Sequence, residues 1–256
     1  MGTLKGCLKA FGLEFENALF PEYGCFLCGR ELLNMEYHLC DECKKNFPIL
    51  NLERCCAKCG APVNSETKFC DNCKAFNYDF DEARASFVYS DTTKSLILGI
   101  KYSNRVYLAK FFARMMLDTL IKWGIIFDVI VPVPLSKSRQ KSRGYNQSEL
   151  IADELSKLTK VEVDNTIIER RESDKLQQNL SRKERFANME GVFKISNRKN
   201  LKGLNVLIID DIYTTGATAN EFSKTIRKLH PNKIYVLTAG KTLYVDLKIN
   251  KKYTIR

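Results

Sequence analysis

Eight cysteines in four Cys-x-x-Cys pairs constrain this chain more than any other feature. The pairs are Cys25/Cys28, Cys40/Cys43, Cys56/Cys59 and Cys70/Cys73, and glycine follows the first and third (Gly29 and Gly60). The second and fourth read CDECK and CDNCK, so one small unit is repeated after about 30 residues. Two thiolates from one tight turn reach the same ion, and the glycine permits the left-handed backbone of that knuckle. Each unit supplies four thiolates, enough to close a tetrahedral zinc shell and leave no open position for catalysis. Two structural zinc ions are expected, in the sequential sets Cys25/28/40/43 and Cys56/59/70/73. Spacing alone does not fix the connectivity, and an interleaved, cross-braced pairing is the alternative. A disulfide framework needs an oxidising compartment, and four evenly paired knuckles suit two zinc ribbons better than an iron–sulfur cluster. Cys55 breaks the x-x spacing, Cys7 stands alone, and His38 reads as a surface residue.

No stretch approaches the roughly 18 uninterrupted apolar residues of a membrane span. At the start of the chain, Lys5, Lys9, Glu14 and Glu16 fall too close together for the apolar centre of a signal peptide. That segment reads as a short amphipathic helix, and a cytoplasmic location is expected. Charge is unevenly distributed. Residues 1–80 hold 9 Lys+Arg against 11 Asp+Glu, and the rest holds 32 against 19. The basic surplus therefore lies in the C-terminal part, where it favours nucleic acid or phosphorylated ligands.

From about residue 81 the pattern changes, dividing the chain into a zinc module at 1–80 and a second domain at 81–256. Strand-like runs (RASFVY, FDVIVPVP, VEVDNTII, GVFKI, NVLIIDDI and KIYVLTA) alternate with helical ones. In NQSELIADELSKLT the expected apolar side carries Leu150, Leu155 and Leu158. Alternation of this kind implies an α/β fold, with a mainly parallel sheet flanked by helices. Ligands of such sheets bind beyond the carboxyl ends of the strands. There VLIIDDIYTTGAT (206–218) places Asp210 and Asp211 after a buried apolar run, with a small, hydroxyl-rich turn behind them. Small residues opening a helix suit a phosphate. Two carboxylates beside it suit sugar hydroxyls or Mg²⁺. A phosphorylated ribose satisfies both.

VLIIDDIYTTGAT resembles the phosphoribosyl-pyrophosphate loop of type I phosphoribosyltransferases. The resemblance implies that Asp210 and Asp211 bind the ribose hydroxyls, and that Thr214, Thr215, Gly216, Ala217 and Thr218 hold the 5-phosphate, with Mg²⁺ accompanying the ligand. VPVPLSKSRQKSRGYNQSELIADEL and LQQNLSRKERFANMEGVF are similar to segments of the ComF family of competence-associated proteins. That family also joins a cysteine-knuckle module to a phosphoribosyltransferase-like domain.

Lys137, Arg139, Lys141, Arg143 and Gly144, with Arg182 and Arg185 and the neighbouring Arg170 and Arg171, are candidates for contacting pyrophosphate or a DNA backbone. Tyr145, Phe186 and Phe193 are candidate stacking faces. The ComF resemblance implies handling of single-stranded DNA on the cytoplasmic side during natural transformation, with a DNA-translocating helicase or the uptake channel as partner. The alternative is an active phosphoribosyltransferase of nucleotide metabolism. Thr214 stands where 6-oxopurine enzymes of that superfamily carry an aspartate base, and threonine cannot act as a base near neutral pH, which speaks against hypoxanthine or guanine as substrate but not against other bases.

Overall fold

A computed structural model describes residues 24–32, 37–64, 66–172, 182–197 and 199–243, with the backbone alone at 182. The expected N-terminal helix lies outside the described residues. The chain divides into two compact units, Met1–Phe47 and Pro48–Arg256.

In the first unit, the Cys25 knuckle closes by Gly29 N–H donating to the Cys25 carbonyl at 2.8 Å, with Gly29 at φ +74°. Helix α1 (Asp41–Lys45) follows Cys40 as its N-cap.

The second unit repeats this arrangement. Gly60 N–H donates to the Cys56 carbonyl at 2.9 Å, and α2 (Asp71–Ala75) follows Cys70. Here the knuckle is pressed against β1 (Glu82–Val88), where Ala83 N–H donates to the Lys58 carbonyl at 2.7 Å. A Cβ on Gly60, at φ +69°, would lie 2.7 Å from the Ala83 carbonyl oxygen, so only glycine fits.

The chain continues through α3 (Asp91–Tyr102), α4 (Leu108–Trp123), β2 (Val129–Pro132), α5 (Lys137–Arg143) and α6 (Gln147–Thr159). Then come β3 (Ile168–Arg170), α7 (Arg182–Met189), β4 (Phe193–Ile195), β5 (Asn205–Tyr213), α8 (Ala217–Arg227) and β6 (Lys233–Lys241). Strands β1, β6, β5 and β2 form one parallel sheet in that order. The central strand β5 buries Val206 through Ile209 completely, as its unbroken apolar run requires of a strand covered on both faces. Val206 and Ile208 face a core shared with Phe222 and Ile226 of α8 and with Tyr78 and Phe80. Helices α4 and α6 pack on each other and on the sheet. Helix α4 buries Leu108, Phe111, Phe112, Met115, Met116 and Thr119, a stripe of helical period, and ends at Gly124 in the left-handed conformation.

Two expectations are corrected. In α6 the buried side is Ser148, Ile151, Ala152 and Leu155; Leu150 falls off this 3.6-residue stripe, and Leu158, at its edge in the last turn of the helix, is 41% exposed. The VEVDNTII run adds no full strand to the sheet: Val163 makes one parallel bridge to Ile130. Asp164 Oδ1 then accepts from Thr166 N–H (2.9 Å) and Thr166 Oγ1–H (2.8 Å), turning the chain. Beyond the turn, β3 pairs antiparallel with β4 as a separate two-stranded sheet.

Candidate functional site

Both four-cysteine sets form. The Sγ atoms of Cys25, Cys28, Cys40 and Cys43 lie within 4.8 Å of one another, and so do those of Cys56, Cys59, Cys70 and Cys73. The sequential pairing holds. Cys28–Cys40 and Cys59–Cys70 Sγ separations are both 3.7 Å. A disulfide would bring them to about 2.05 Å. Four sulfurs about 2.3 Å from a central ion, tetrahedrally arranged, stand about 3.8 Å apart, so the donor sets fit zinc. Cys55 Sγ–H instead donates to the Leu52 carbonyl at 3.1 Å, and His38 stacks on Phe26 with ring centroids 4.4 Å apart.

The acid pair lies in the last four residues of β5, which runs on to Tyr213. Asp211 is only 4% exposed. Its Oδ1 lies 2.8 Å from Lys101 Nζ, at the end of α3, and its Oδ2 accepts from Gln147 Nε2 at 2.6 Å. Asp210 Oδ1 accepts from Ser148 Oγ–H at 3.2 Å and from Asp211 N–H at 2.8 Å. Burial, and after it the charge of Asp211, push the Asp210 carboxyl up to about 7; Lys101 opposes them.

Gln147 and Ser148 open α6, and their placement comes from Asn146. Its side chain caps the helix by accepting from Ser148 N–H (3.0 Å) and donates to the Val133 carbonyl (3.0 Å) beyond β2. The positive end of the α6 dipole therefore faces the two carboxylates.

Behind the acids, Thr214, Thr215 and Gly216 lead directly into α8, whose first turn holds Ala217 and Thr218. Gly216 is the N-cap at φ +83°, and a Cβ there would come within 2.7 Å of the Tyr213 ring and 3.0 Å of Tyr78. Thr215 Oγ1 accepts from Ala217 N–H at 3.3 Å, and its carbonyl accepts from Tyr78 Oη–H at 3.3 Å. Tyr78 shares one core with Cys56 and Cys59, so the second cysteine cluster buttresses this loop. Lys241 adds a further link. It is buried at the end of β6 with its ammonium 3.5 Å from the Tyr213 ring centroid; burial weakens its hold on the proton, and the thiolates of the second set strengthen it.

The basic candidates separate. Lys137, Arg139 and Lys141 project outward from the short helix α5. Gly144 caps that helix at φ +86°. Arg143 turns inward, donating to Gln147 Oε1, which joins it to Asp211. Arg170 sits over the Phe193 ring at 5.5 Å. Its guanidinium loses proton affinity to burial and to Arg139, and Asp210 opposes both. Arg185 lies half-buried on α7, and the Arg182 side chain is outside the described residues.

The aromatic candidates are each tied into the surrounding structure. Phe193 is buried against Phe222, Phe186 packs on Phe76 and Tyr78, and Tyr145 donates its hydroxyl to the Ile100 carbonyl at 2.7 Å.

Residues 15–74 match the double zinc ribbon domain. Competence protein F of Haemophilus influenzae is 30% identical over 226 residues, covering 85% of this chain and 96% of that protein. The chain belongs to the ComF family. Other ComF relatives are competence protein ComFC of Bacillus subtilis and DNA utilization protein YhgH of Escherichia coli K12. The first is 27% identical, covering 73% of this chain and 77% of the relative. The second is 25% identical, covering 86% and 97%. The fold of this ComF family member is an α/β architecture with a parallel sheet, plus the cysteine module. Adenine phosphoribosyltransferase of Saccharomyces cerevisiae aligns with 52% of this chain and 69% of its own, at 18% identity and a TM-score of 0.32. Among the described residues, no helix is long and apolar enough to cross a membrane.

Lys101, Gln147, Ser148 and Tyr78 are absent from the residues singled out by sequence. Lys101 left one signal: Thr93 and Ile97, both fully buried, precede it at i−8 and i−4, so a lysine continues a core-facing stripe.

Proposed function

We propose that this chain binds phosphoribosyl pyrophosphate with Mg²⁺ at Asp210, Asp211 and the Thr214–Thr218 loop, and handles single-stranded DNA on the cytoplasmic side in natural transformation. The carrying observation is that the acid pair runs straight into a glycine-capped helix N-terminus. Carboxylates suit ribose hydroxyls and a hard cation. The N–H groups and dipole at the start of α8 suit the 5-phosphate. Arg143, joined to Asp211 through Gln147, supplies positive charge for the pyrophosphate. The DNA part of the reading is supported by the names of the relatives and by the exposed charges of Lys137, Arg139 and Lys141.

A fluorescence anisotropy titration with an oligothymidylate tests that part. The Lys137→Glu/Arg139→Glu/Lys141→Glu variant should bind more weakly and show a shallower dependence on salt, since each lost phosphate contact releases fewer counterions. Unchanged affinity and slope would remove the basic helix from the account. Pyrophosphate release from phosphoribosyl pyrophosphate in the presence of a panel of bases would favour the transferase reading instead.

A further inference from the structure

An exposed tyrosine alone signifies nothing, because much of any protein surface is apolar. Tyr102 differs in what holds it. It ends α3 and is 72% exposed, yet one side of its ring lies on the Arg143 guanidinium, with Cζ 4.9 Å from the ring centroid. Its predecessor Lys101 is fixed by Asp211 at 2.8 Å, and the Ile100 carbonyl is held by Tyr145 Oη–H at 2.7 Å. The ring is thus held at the end of a helix anchored on two sides. Arg143 reaches Gln147, and Gln147 reaches Asp211, so only two side chains separate the ring from the acid pair. Leu98 lies one turn earlier on the same face and is 38% exposed, and α5, which carries the exposed Lys137, Arg139 and Lys141, ends at Arg143.

We propose that Tyr102, backed by Arg143, is a stacking platform for a nucleobase of single-stranded DNA at the mouth of the crevice. A π-face backed by a cation accepts any base, while the exposed Lys137, Arg139 and Lys141 of α5 follow the phosphates, the combination by which single strands are held without sequence readout. Tyr102 takes the place of Phe186 and Phe193, whose rings pack on other aromatics, and of Tyr145, whose hydroxyl is tied to the Ile100 carbonyl. The inference rests on the single-stranded DNA reading above.

The test uses the full chain and anisotropy titrations with an oligothymidylate and with an abasic oligonucleotide of equal length. Tyr102→Ala should bind the oligothymidylate about five-fold to a hundred-fold more weakly, and Tyr102→Phe should bind like wild type. On the abasic strand, wild type and Tyr102→Ala should be equal, because the phosphates are unchanged. The thermal transition of each variant checks the fold, which an exposed side chain leaves intact. If wild type binds with a steep salt dependence and Tyr102→Ala is indistinguishable from it on thymidylate, the platform is wrong and the DNA reading stands. An equal loss on the abasic strand also overturns the platform. If wild type binds neither strand, the DNA reading falls, and the platform falls with it.

Discussion

Lys101 Nζ lies 2.8 Å from Asp211 Oδ1, an ion pair whose side chains are only 19% and 6% exposed. It joins the end of α3 to the central strand and supplies the nearest positive charge to two adjacent carboxylates. Removing one partner of a buried pair leaves the other charged and unpaired, at a cost of about 3 kcal/mol or more. Lys101→Met should therefore lower stability by about that amount in urea unfolding. Adding Asp211→Asn should recover part of the loss. A Lys101→Met loss below about 1 kcal/mol would mean that the pair is not held in solution.

Asp210 gives a pH dependence of definite sign. Its carboxyl is pushed up to about 7, above the ordinary value of 3.8, by burial and by Asp211. A carboxyl with a raised folded pKa holds more protons in the native state, so it lowers stability as pH rises between those two values. Asp210→Asn removes this penalty. The variant should match wild type at about pH 4 and be the more stable above about pH 7. A difference that does not grow with pH would contradict the account.

Gly216 combines φ +83° with the close approach of Tyr213 and Tyr78. Gly216→Ala forces a left-handed backbone on a residue with a Cβ, and drives that Cβ into the Tyr213 ring. The expected destabilisation is about 1–3 kcal/mol, read as a lower midpoint in urea. Retention of full stability would show that the loop relaxes away from both tyrosines.

The two cysteine clusters should differ in what they support. Cys56 and Cys59 share a core with Tyr78, whose hydroxyl donates to the Thr215 carbonyl, whereas the first set lies in its own compact unit. Cys70→Ser/Cys73→Ser should abolish phosphoribosyl pyrophosphate binding, and Cys40→Ser/Cys43→Ser should leave it, each measured beside zinc content. Equal effects of the two pairs would contradict the buttressing role.

Much of this site was legible because its signals are local. The cysteine ligands are set by knuckle spacing, and Asp210 through Thr218 are continuous in sequence. Other parts were not. Gln147 and Ser148 reach the acids from 64 and 62 residues away, and Tyr78 reaches Thr215 across 137. No periodicity reports such contacts. The same holds for Lys101, whose place on the buried stripe of α3 hints at a partner without naming it. In the fold, the strand-like run at 161–168 reads as one strand, but an aspartate turn at Asp164 divides it and sends β3 into a separate sheet. The run at 137–143 shows its charges in sequence but not its helical state, which Ser136 caps by accepting from Arg139 N–H.

The central claim, that the acid pair holds a ribose, is tested most directly by calorimetric titration with phosphoribosyl pyrophosphate and Mg²⁺. Wild type is compared with Asp210→Asn/Asp211→Asn, whose fold is verified by its thermal transition. Loss of charged hydrogen bonds to the ribose hydroxyls, each worth about 1.5–3 kcal/mol, should weaken binding by at least about 100-fold. Saturable binding by wild type that the double variant loses is the predicted result. Equal binding by both, or none by wild type, would contradict it.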